Sequence, residues 1–243
     1  MNEPTGDLRD STTLAGALRA SGAVREFTDD VVTDSTLYDI LDDARFAPSG
    51  GNRQPWRVIV LRDPDQRRLV AETYLEAWHD YVGHVLAGLV PFAPTATAQD
   101  RLSALERRGD AVAKSDPRGF AETLADAPAL LLVTVDLSQL AATDRDLPRY
   151  TFVGGASVYP FVWNVLLAAQ ARGLGGVMTT VATRLEDRLR PVLKLDDNDA
   201  VAAMVVLGYP RRRVARLTRR PVERFTTLDT RNGPALEPNN PSA

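Results

Sequence analysis

Hydrophobic positions along the chain fall into three continuous apolar runs. They are "WRVIVL" at 56–61, "PALLLVTVD" at 128–136 and "DAVAAMVVLGYP" at 199–210. Continuous runs of this length, rich in β-branched residues, predict strands that are buried on both faces.

Between these runs the apolar residues recur with the period of a helix. Residues 31–48 are the clearest case, with Thr33 or Asp34 as the N-cap, Pro48 at the end, and an apolar row at Leu37, Ile40, Leu41 and Ala44. Similar patterns predict helices at 10–21, capped by Asp10 or Ser11, and from Asp65 onward through Leu69, Thr73, Ala77 and Tyr81.

A second strong pattern, "GGASVYPFVWNVLLAAQARGLGG", predicts a helix that is apolar on most sides and therefore buried. Ser157 is its candidate N-cap, Pro160 fits in its first turn, and Gly173 fits the position just past its end. A further helix is predicted to open with a capping box formed by Thr183 and Glu186.

These elements predict an α+β fold, with a small sheet that carries helices on both faces. They do not alternate as regular βαβ units, and no G-x-G-x-x-G follows a strand, so a Rossmann dinucleotide site is not indicated. We expect a single domain over 1–243, with an irregular insertion at about 83–127 and a flexible end from about 231.

Composition narrows the chemistry. The 243 residues carry a formal net charge of -3, include no cysteine and hold two histidines. We therefore expect no general attraction to nucleic acid or membrane, no thiolate chemistry, and no histidine metal cage, since His79 and His84 project about 140° apart on a helix. The polar N-terminus and the lack of a spanning apolar run favour a cytoplasmic protein. If the chain is an enzyme, a bound cofactor supplies its chemistry.

Four segments combine backbone freedom with polar side chains: 24–27, 46–61, 173–180 and an arginine-rich tail. Taken singly, each has a structural explanation, namely a surface charge, a shaped turn, a helix end and a solvated tail. The tail arginines are Arg211, Arg212, Arg213, Arg216, Arg219 and Arg220.

Taken together, the four segments fit one ligand. Arg25, Arg219 and Arg220 suit a phosphate. Polar groups in "FAPSGGNRQPWRVIVL" suit the hydroxyls of a polyol and the edges of a ring, and the glycines of "GLGG" would let backbone N–H groups approach a flat ring. A phosphate, a polyol and a heteroaromatic ring together describe FMN.

The same segments resemble the FMN-dependent nitroreductase superfamily. "APSGGNRQPWRVIVL", "NVLLAAQARGLGGVMTT" and "TRRPVERF" occur in the order of that family's motifs, and the resemblance covers about 14–225. It implies a mostly antiparallel sheet, and a homodimer with FMN at the subunit interface and a C-terminal segment that reaches the partner. It also implies that the insertion covers the substrate face.

Carried over by position, the resemblance implies a set of FMN-binding residues. Arg25 approaches the ribityl–phosphate side, residues 48–52 reach the flavin of the other subunit, and Thr180 offers its N–H to N5. The full set is Arg25, Pro48, Ser49, Gly50, Asn52, Gln54, Gly175, Gly176, Met178, Thr179, Thr180, Arg219 and Arg220. The chain departs from the family at 21–23, where Ser21-Gly22-Ala23 replaces a basic triplet, so Arg19 or Arg220 would have to supply the missing cation.

The resulting hypothesis is an FMN oxidoreductase with ping-pong transfer from NADPH or NADH to a nitroaromatic, a quinone or a similar small molecule. Such chemistry needs no protein acid or base with an unusual pKa, because the cofactor carries it. Two alternatives stay open: a specialised dehydrogenase or flavin-fragmenting relative, and a flavin-binding protein without catalysis.

Overall fold

A computed structural model describes residues 13–212 and 217–238 of the chain. Within these residues, four strands form an antiparallel sheet in the order β1-β2-β4-β3. Their bounds are β1 Trp56–Leu61, β2 Ala129–Asp136, β3 Gly175–Thr179 and β4 Asp199–Gly208. The three predicted strands are confirmed to within two residues at each end, and the α+β class with an antiparallel sheet is confirmed as well.

Helices surround the sheet, and none in the described residues is long and apolar enough to span a bilayer. Their bounds are α1 Leu14–Ala20, α2 Asp34–Ala44, α3 Pro64–Leu86, α4 Ala98–Glu106, α5 Arg108–Ala113, α6 Tyr159–Ala171 and α7 Glu186–Leu193.

The sheet is covered on both faces. Because side chains alternate along a strand, Leu131 and Val133 of β2 pack with α2 and α6, whereas Leu130 and Leu132 pack on the opposite side with α3 and α7. The central strands β2 and β4 are therefore apolar at nearly every position, which explains why their sequences show no alternation.

The first three helices agree with the sequence prediction only in part. Thr33 caps α2 as predicted, but the helix ends at Ala44, four residues before Pro48. α3 begins after Asp63, whose carboxylate accepts hydrogen bonds from the N–H groups of Asp65 and Gln66, so the prediction of Asp65 as the cap was wrong. Thr13 caps α1, whereas the predicted caps, Asp10 and Ser11, lie outside the described residues.

The helices on either side of β3 start differently from the prediction. Val158 precedes α6, and no side chain caps that helix, so the assignment of Ser157 was wrong. Leu185 precedes α7, so the predicted capping box was wrong too. The Glu186 carboxylate instead accepts a hydrogen bond from the N–H of Val201, which ties α7 to β4. Gly173 does follow the end of α6 with a φ of 81°, as predicted.

The region from 83 onward is built on α3, which continues to Leu86 and so crosses the predicted boundary of the insertion. Gly83 allows a close crossing, because a Cβ there would lie 2.7 Å from the backbone oxygen of Ala104 in α4. Arg108 of α5 donates to Asp80 of α3 at 2.7 Å. The insertion is thus a pair of short helices packed against one long helix.

The segment before α2 borders the edge strand β3. The N–H of Val24 donates to the carbonyl of Gly176 at 2.9 Å, and the N–H of Thr28 donates to the carbonyl of Tyr209 at 2.8 Å. A Cβ at Gly175 would lie 2.6 Å from a methyl group of Val24. A Cβ at Gly176 would lie 2.5 Å from Leu207. The two glycines therefore leave space for the side chains of Val24 and Leu207. The sequence had predicted that they would let backbone N–H groups approach a flat ring.

We predict that Gly176→Ala destabilises the protein by about 1–3 kcal/mol, because the added methyl group also meets the carbonyl oxygen of Val206 at 2.6 Å. Urea denaturation followed by circular dichroism measures this loss. Gly109→Ala in α5 is the control, since nothing lies within 4 Å of its Cβ position. Equal stabilities for the two variants would contradict the role given to Gly176.

Candidate functional site

The loop at 48–54, just before β1, is held in an unusual backbone conformation. Gly51, Asn52 and Gln54 have φ values of 61°, 53° and 49°. Residues other than glycine adopt this left-handed region uncommonly, and where they do the surrounding structure enforces it. Here the hydroxyl of Ser49 accepts a hydrogen bond from the N–H of Gln54 at 3.0 Å, and its carbonyl accepts from the N–H of Asn52 at 2.9 Å.

This closed loop turns its polar side chains outward. The amides of Asn52 and Gln54 are exposed and contact each other at 3.1 Å. Pro48 is exposed as well, whereas Trp56 at the start of β1 is buried and stacks on Phe161 at 4.8 Å between ring centroids. The predicted division of this segment, with an anchor at Trp56 and a polar tip, describes what the structure contains.

Ser157, which lies just before α6, supports the loop at 48–54. Its buried hydroxyl accepts a hydrogen bond from the N–H of Gly50 at 3.0 Å. A Cβ at Gly50 would lie 3.4 Å from both the Ser157 hydroxyl and Ala141. The residue that the sequence suggested as a helix cap is therefore a support for the polar loop, reached across more than a hundred residues of chain.

Asp144, which the sequence did not single out, organises the turn that ends at Ser157. Its side chain is 3% exposed, and Oδ2 accepts hydrogen bonds from the N–H of Phe152 at 3.0 Å and from Arg149 at 2.9 Å. The Phe152 N–H and the Arg149 guanidinium hold the pKa of Asp144 below its usual value despite burial. Among the described residues, Oδ1 is the buried side-chain oxygen that lacks a hydrogen-bond partner.

At the far edge of the sheet, β3 presents backbone groups to the outside. The carbonyl of Gly176 points away from β4, because it accepts a hydrogen bond from Val24. Backbone groups on one side of a strand recur at every second residue, so those of Met178 and the N–H of Thr180 point outward as well. Both residues are exposed.

A small polar cluster lies beside β3. The hydroxyl of Thr179 donates to the phenol oxygen of Tyr74 at 3.4 Å. Burial raises the pKa of Tyr74, and the Thr179 bond and the positive charge of Arg25 partly oppose the rise. Arg25 is exposed, with its guanidinium carbon 5.9 Å from the ring centroid of Phe120. No sequence pattern indicated that Tyr74 contacts Thr179 or that Phe120 contacts Arg25.

Arg25 also borders a cavity of about 1030 Å³ between the N-terminal segment and 116–128. Five carboxylates and three arginines line it. Because acidic groups outnumber basic ones, this cavity does not suit a phosphate group. Among its arginines, Arg211 is engaged by the carboxylate of Asp29 at 3.6 Å and by the carbonyl of Phe27 at 2.6 Å.

Two of the predicted tail arginines, Arg219 and Arg220, were assigned to the phosphate. Arg219 and Arg220 are exposed, and Arg219 donates to the carbonyl of Thr218 at 2.8 Å. The hydrogen bonds recorded for 217–238 all stay within that segment, including a turn closed between Leu228 and Pro234. Arg213 and Arg216 lie outside the described residues.

The site residues therefore form separate groups. The loop at 48–54 precedes β1 at one edge of the sheet, and Met178 to Thr180 follow the other edge, with β2 and β4 between them. Three strand spacings separate the two edges by about 14 Å. The two groups of predicted FMN-binding residues therefore lie at opposite edges of the sheet.

Comparisons with known proteins agree with this architecture. Residues 19–209 match the profile of the Nitroreductase family. The chain is 30% identical over 231 residues to the NADH dehydrogenase of Thermus thermophilus, covering 91% of this chain and 97% of that protein. It is 27% identical over 199 residues to the 4-nitrobenzoate reductase of Pseudomonas putida, covering 77% and 81%.

A solved structure shows the same fold. It is a Desulfovibrio desulfuricans protein in complex with FMN, which superposes with a TM-score of 0.57 at 23% identity. The match covers 85% of this chain and 90% of that chain.

We predict that Asp144→Asn makes folding stability less dependent on pH in the acidic range. A carboxyl whose pKa is lowered in the folded state stabilises the protein above its unfolded pKa of about 4, and this contribution is lost as the pH falls through the lower folded value. Urea midpoints at pH 6 and pH 3 measure the effect. The control is Asp146→Asn, which removes an exposed carboxyl of the same loop. An unchanged pH dependence in Asp144→Asn would contradict the role of Asp144.

Proposed function

The chain belongs to the nitroreductase family, and we propose that it is an FMN-dependent oxidoreductase that passes electrons from NADH or NADPH to a small organic acceptor. The observation that carries this proposal is the family match over 19–209. That range includes Arg25, the loop at 48–54 and the β3 edge, which are the groups that the FMN hypothesis requires. The crystal structure of the Desulfovibrio desulfuricans relative in complex with FMN supports the same cofactor.

The donors present in the chain fit FMN. The outward N–H groups at the β3 edge suit the polar edge of a flat ring, and the exposed amides of Asn52 and Gln54 suit hydroxyls. Arg25 has an exposed guanidinium that forms no ion pair with another described residue, so it is available to a ribityl oxygen. Arg219 and Arg220 would supply the remaining positive charge.

When bound, FMN supplies the hydride and electron transfer. The protein's part is to bind and orient. We assign the N–H of Thr180 to the ring edge that carries N5, and Met178 to the adjacent surface. The phenol oxygen of Tyr74 accepts a hydrogen bond from Thr179 and so helps to hold the end of β3.

We further propose that two chains complete each site. Because the loop at 48–54 and the β3 edge lie about 14 Å apart in one chain, a loop from a second copy would supply the missing half. The tail also favours a partner, because Phe225 is 66% exposed and Val222 is 48% exposed in a segment, 217–238, whose hydrogen bonds to described residues all lie within the segment. Apolar side chains in such a segment gain by burial against another chain.

The names of two relatives' activities bear on the choice of acceptor to test. One relative is a 4-nitrobenzoate reductase, which supports a nitroaromatic as the test acceptor, and a quinone is the second choice. Ping-pong kinetics are expected, since donor and acceptor would use the same face of the flavin in turn.

Purified protein tests the proposal directly. We expect a flavin absorbance band, bleaching of this band by NADH or NADPH without oxygen, recovery on addition of 4-nitrobenzoate, and a mass of two chains by light scattering. A colourless protein that takes up no added FMN would contradict the cofactor assignment. Bound flavin that neither nucleotide reduces would instead favour a flavin-binding protein without catalysis. A mass of one chain would contradict the two-chain site.

We predict that Arg25→Ala weakens FMN binding about tenfold or more, since a hydrogen bond to a charged group is worth about 1.5–3 kcal/mol. Arg211→Ala is the matched comparison, because Arg211 borders the same cavity but already has Asp29 and Phe27 as partners. Flavin fluorescence titration gives both dissociation constants. Equal effects of the two substitutions would show that Arg25 is a surface charge without a role in FMN binding.

A further inference from the structure

A second cavity, of about 410 Å³, lies at the C-terminal end of α3. It is enclosed by α3, α4 and the loop between them, and by the turn that follows β3. The residues that matter below are His84, Phe92, Arg101, Tyr150 and Arg184. Its volume falls within the range of about 300–1,000 Å³ that is typical of small-molecule sites.

One wall of this cavity is a fixed array of aromatic rings. The ring of Phe92 lies 4.5 Å from that of His84 and 6.5 Å from that of Tyr81, and Tyr81 stacks on Trp78 at 4.9 Å. The His84 ring is held in turn by a hydrogen bond between Nδ1 and the carbonyl of Asp80 at 2.8 Å. These contacts give the cavity a rigid apolar surface.

Phe92 is held in place at a conformational cost. Its φ is 54°, a left-handed value that is a strong outlier for a bulky side chain. Such strain persists where surrounding contacts enforce it, and it is concentrated at ligand sites. The enforced position keeps the Phe92 ring within the lining of the cavity.

Two cations face this aromatic surface. The guanidinium carbon of Arg184 lies 4.6 Å from the ring centroid of Phe92. Arg101 belongs to α4 and lines the same cavity. Neither arginine forms an ion pair with a described residue. The carboxylate in the lining, Asp80, is already paired with Arg108 at 2.7 Å. The cavity is therefore apolar with unneutralised positive charge at its rim.

We propose that this cavity binds a planar aromatic carboxylate. The ring of the ligand packs against Phe92 and His84, and the carboxylate accepts hydrogen bonds from Arg101 and Arg184, whose forked donors match its geometry. None of its lining residues is among those assigned to FMN, and His84 is ten residues, or about 15 Å of helix, beyond Tyr74. Arg184 follows Thr180 by four residues, so the cavity adjoins the end of β3. Binding here does not depend on the proposed redox function.

Isothermal titration calorimetry of the purified full-length protein tests this proposal with 2-naphthoate and its neutral analogue 2-naphthamide. We expect 2-naphthoate to bind at least tenfold more tightly than 2-naphthamide. Arg101→Gln and Arg184→Gln should each weaken 2-naphthoate binding about tenfold and leave 2-naphthamide binding unchanged. Arg107→Gln is the control, since Arg107 ends the same helix but pairs with Asp110 outside the cavity.

The Phe92→Gly variant tests the loss of binding in a protein that is expected to remain folded. Glycine adopts a positive φ without strain, so the variant should remain folded while it loses the ring and with it most of the 2-naphthoate affinity. Equal binding of the acid and the amide, retained affinity in either arginine variant, or no measurable binding at all would each overturn the proposal. FMN binding measured on the same preparation distinguishes these results from a failure of the proposed function.

Discussion

Burial of β2 and β4 on both faces is the constraint on which the rest of this structure depends. Residues such as Leu131, Leu132, Met204 and Val205 have almost no exposed surface, and each face needs its own helices to exclude water. Each inner strand pairs with a neighbouring strand on both sides, with one irregularity between Val133 and Thr134 of β2. Backbone N–H and C=O groups that can contact a ligand or another chain therefore lie on the two outer strands and the loops beside them.

The backbone groups at the two edges of the sheet are covered in different ways. At the β3 edge, Val24 occupies the space that Gly175 lacks a side chain to fill, and its N–H satisfies the carbonyl of Gly176. This contact covers the first part of the edge and leaves Met178 and Thr180 outward. At the β1 edge, the loop at 48–54 folds on itself and is supported by Ser157. Free backbone groups at a sheet edge can pair with another chain, which is consistent with the two-chain site proposed above.

The long helix α3 connects the two candidate sites. Near its start, Arg67 donates hydrogen bonds to the carbonyls of Leu61, Ala125 and Ala127, which binds the helix to β1 and to the turn before β2. Tyr74, Trp78 and Tyr81 follow at spacings of four and three residues, so they share one face of the helix. Tyr74 reaches Thr179 at the β3 edge, and Tyr81 reaches Phe92 in the second cavity. The aromatic row holds both sites to one rigid element.

The sequence by itself determined three of the four strands, the cap at Thr33, the end of α6 at Gly173 and the special character of the loop before Trp56, but it indicated a ligand loop where β3 lies. These features depend on local periodicity and on backbone preferences that are written in neighbouring residues. Ser157 and Asp144 as supports of that loop, Val24 as the occupant beside Gly175, and the pairing of Arg184 with Phe92 were decided only by tertiary structure. Each joins residues that are far apart in the chain, and the contact depends on how helices and strands pack in three dimensions. A local pattern holds no information about the partner across such a contact, and for that reason Ser157 resembled a helix cap and the two glycines resembled a ligand loop.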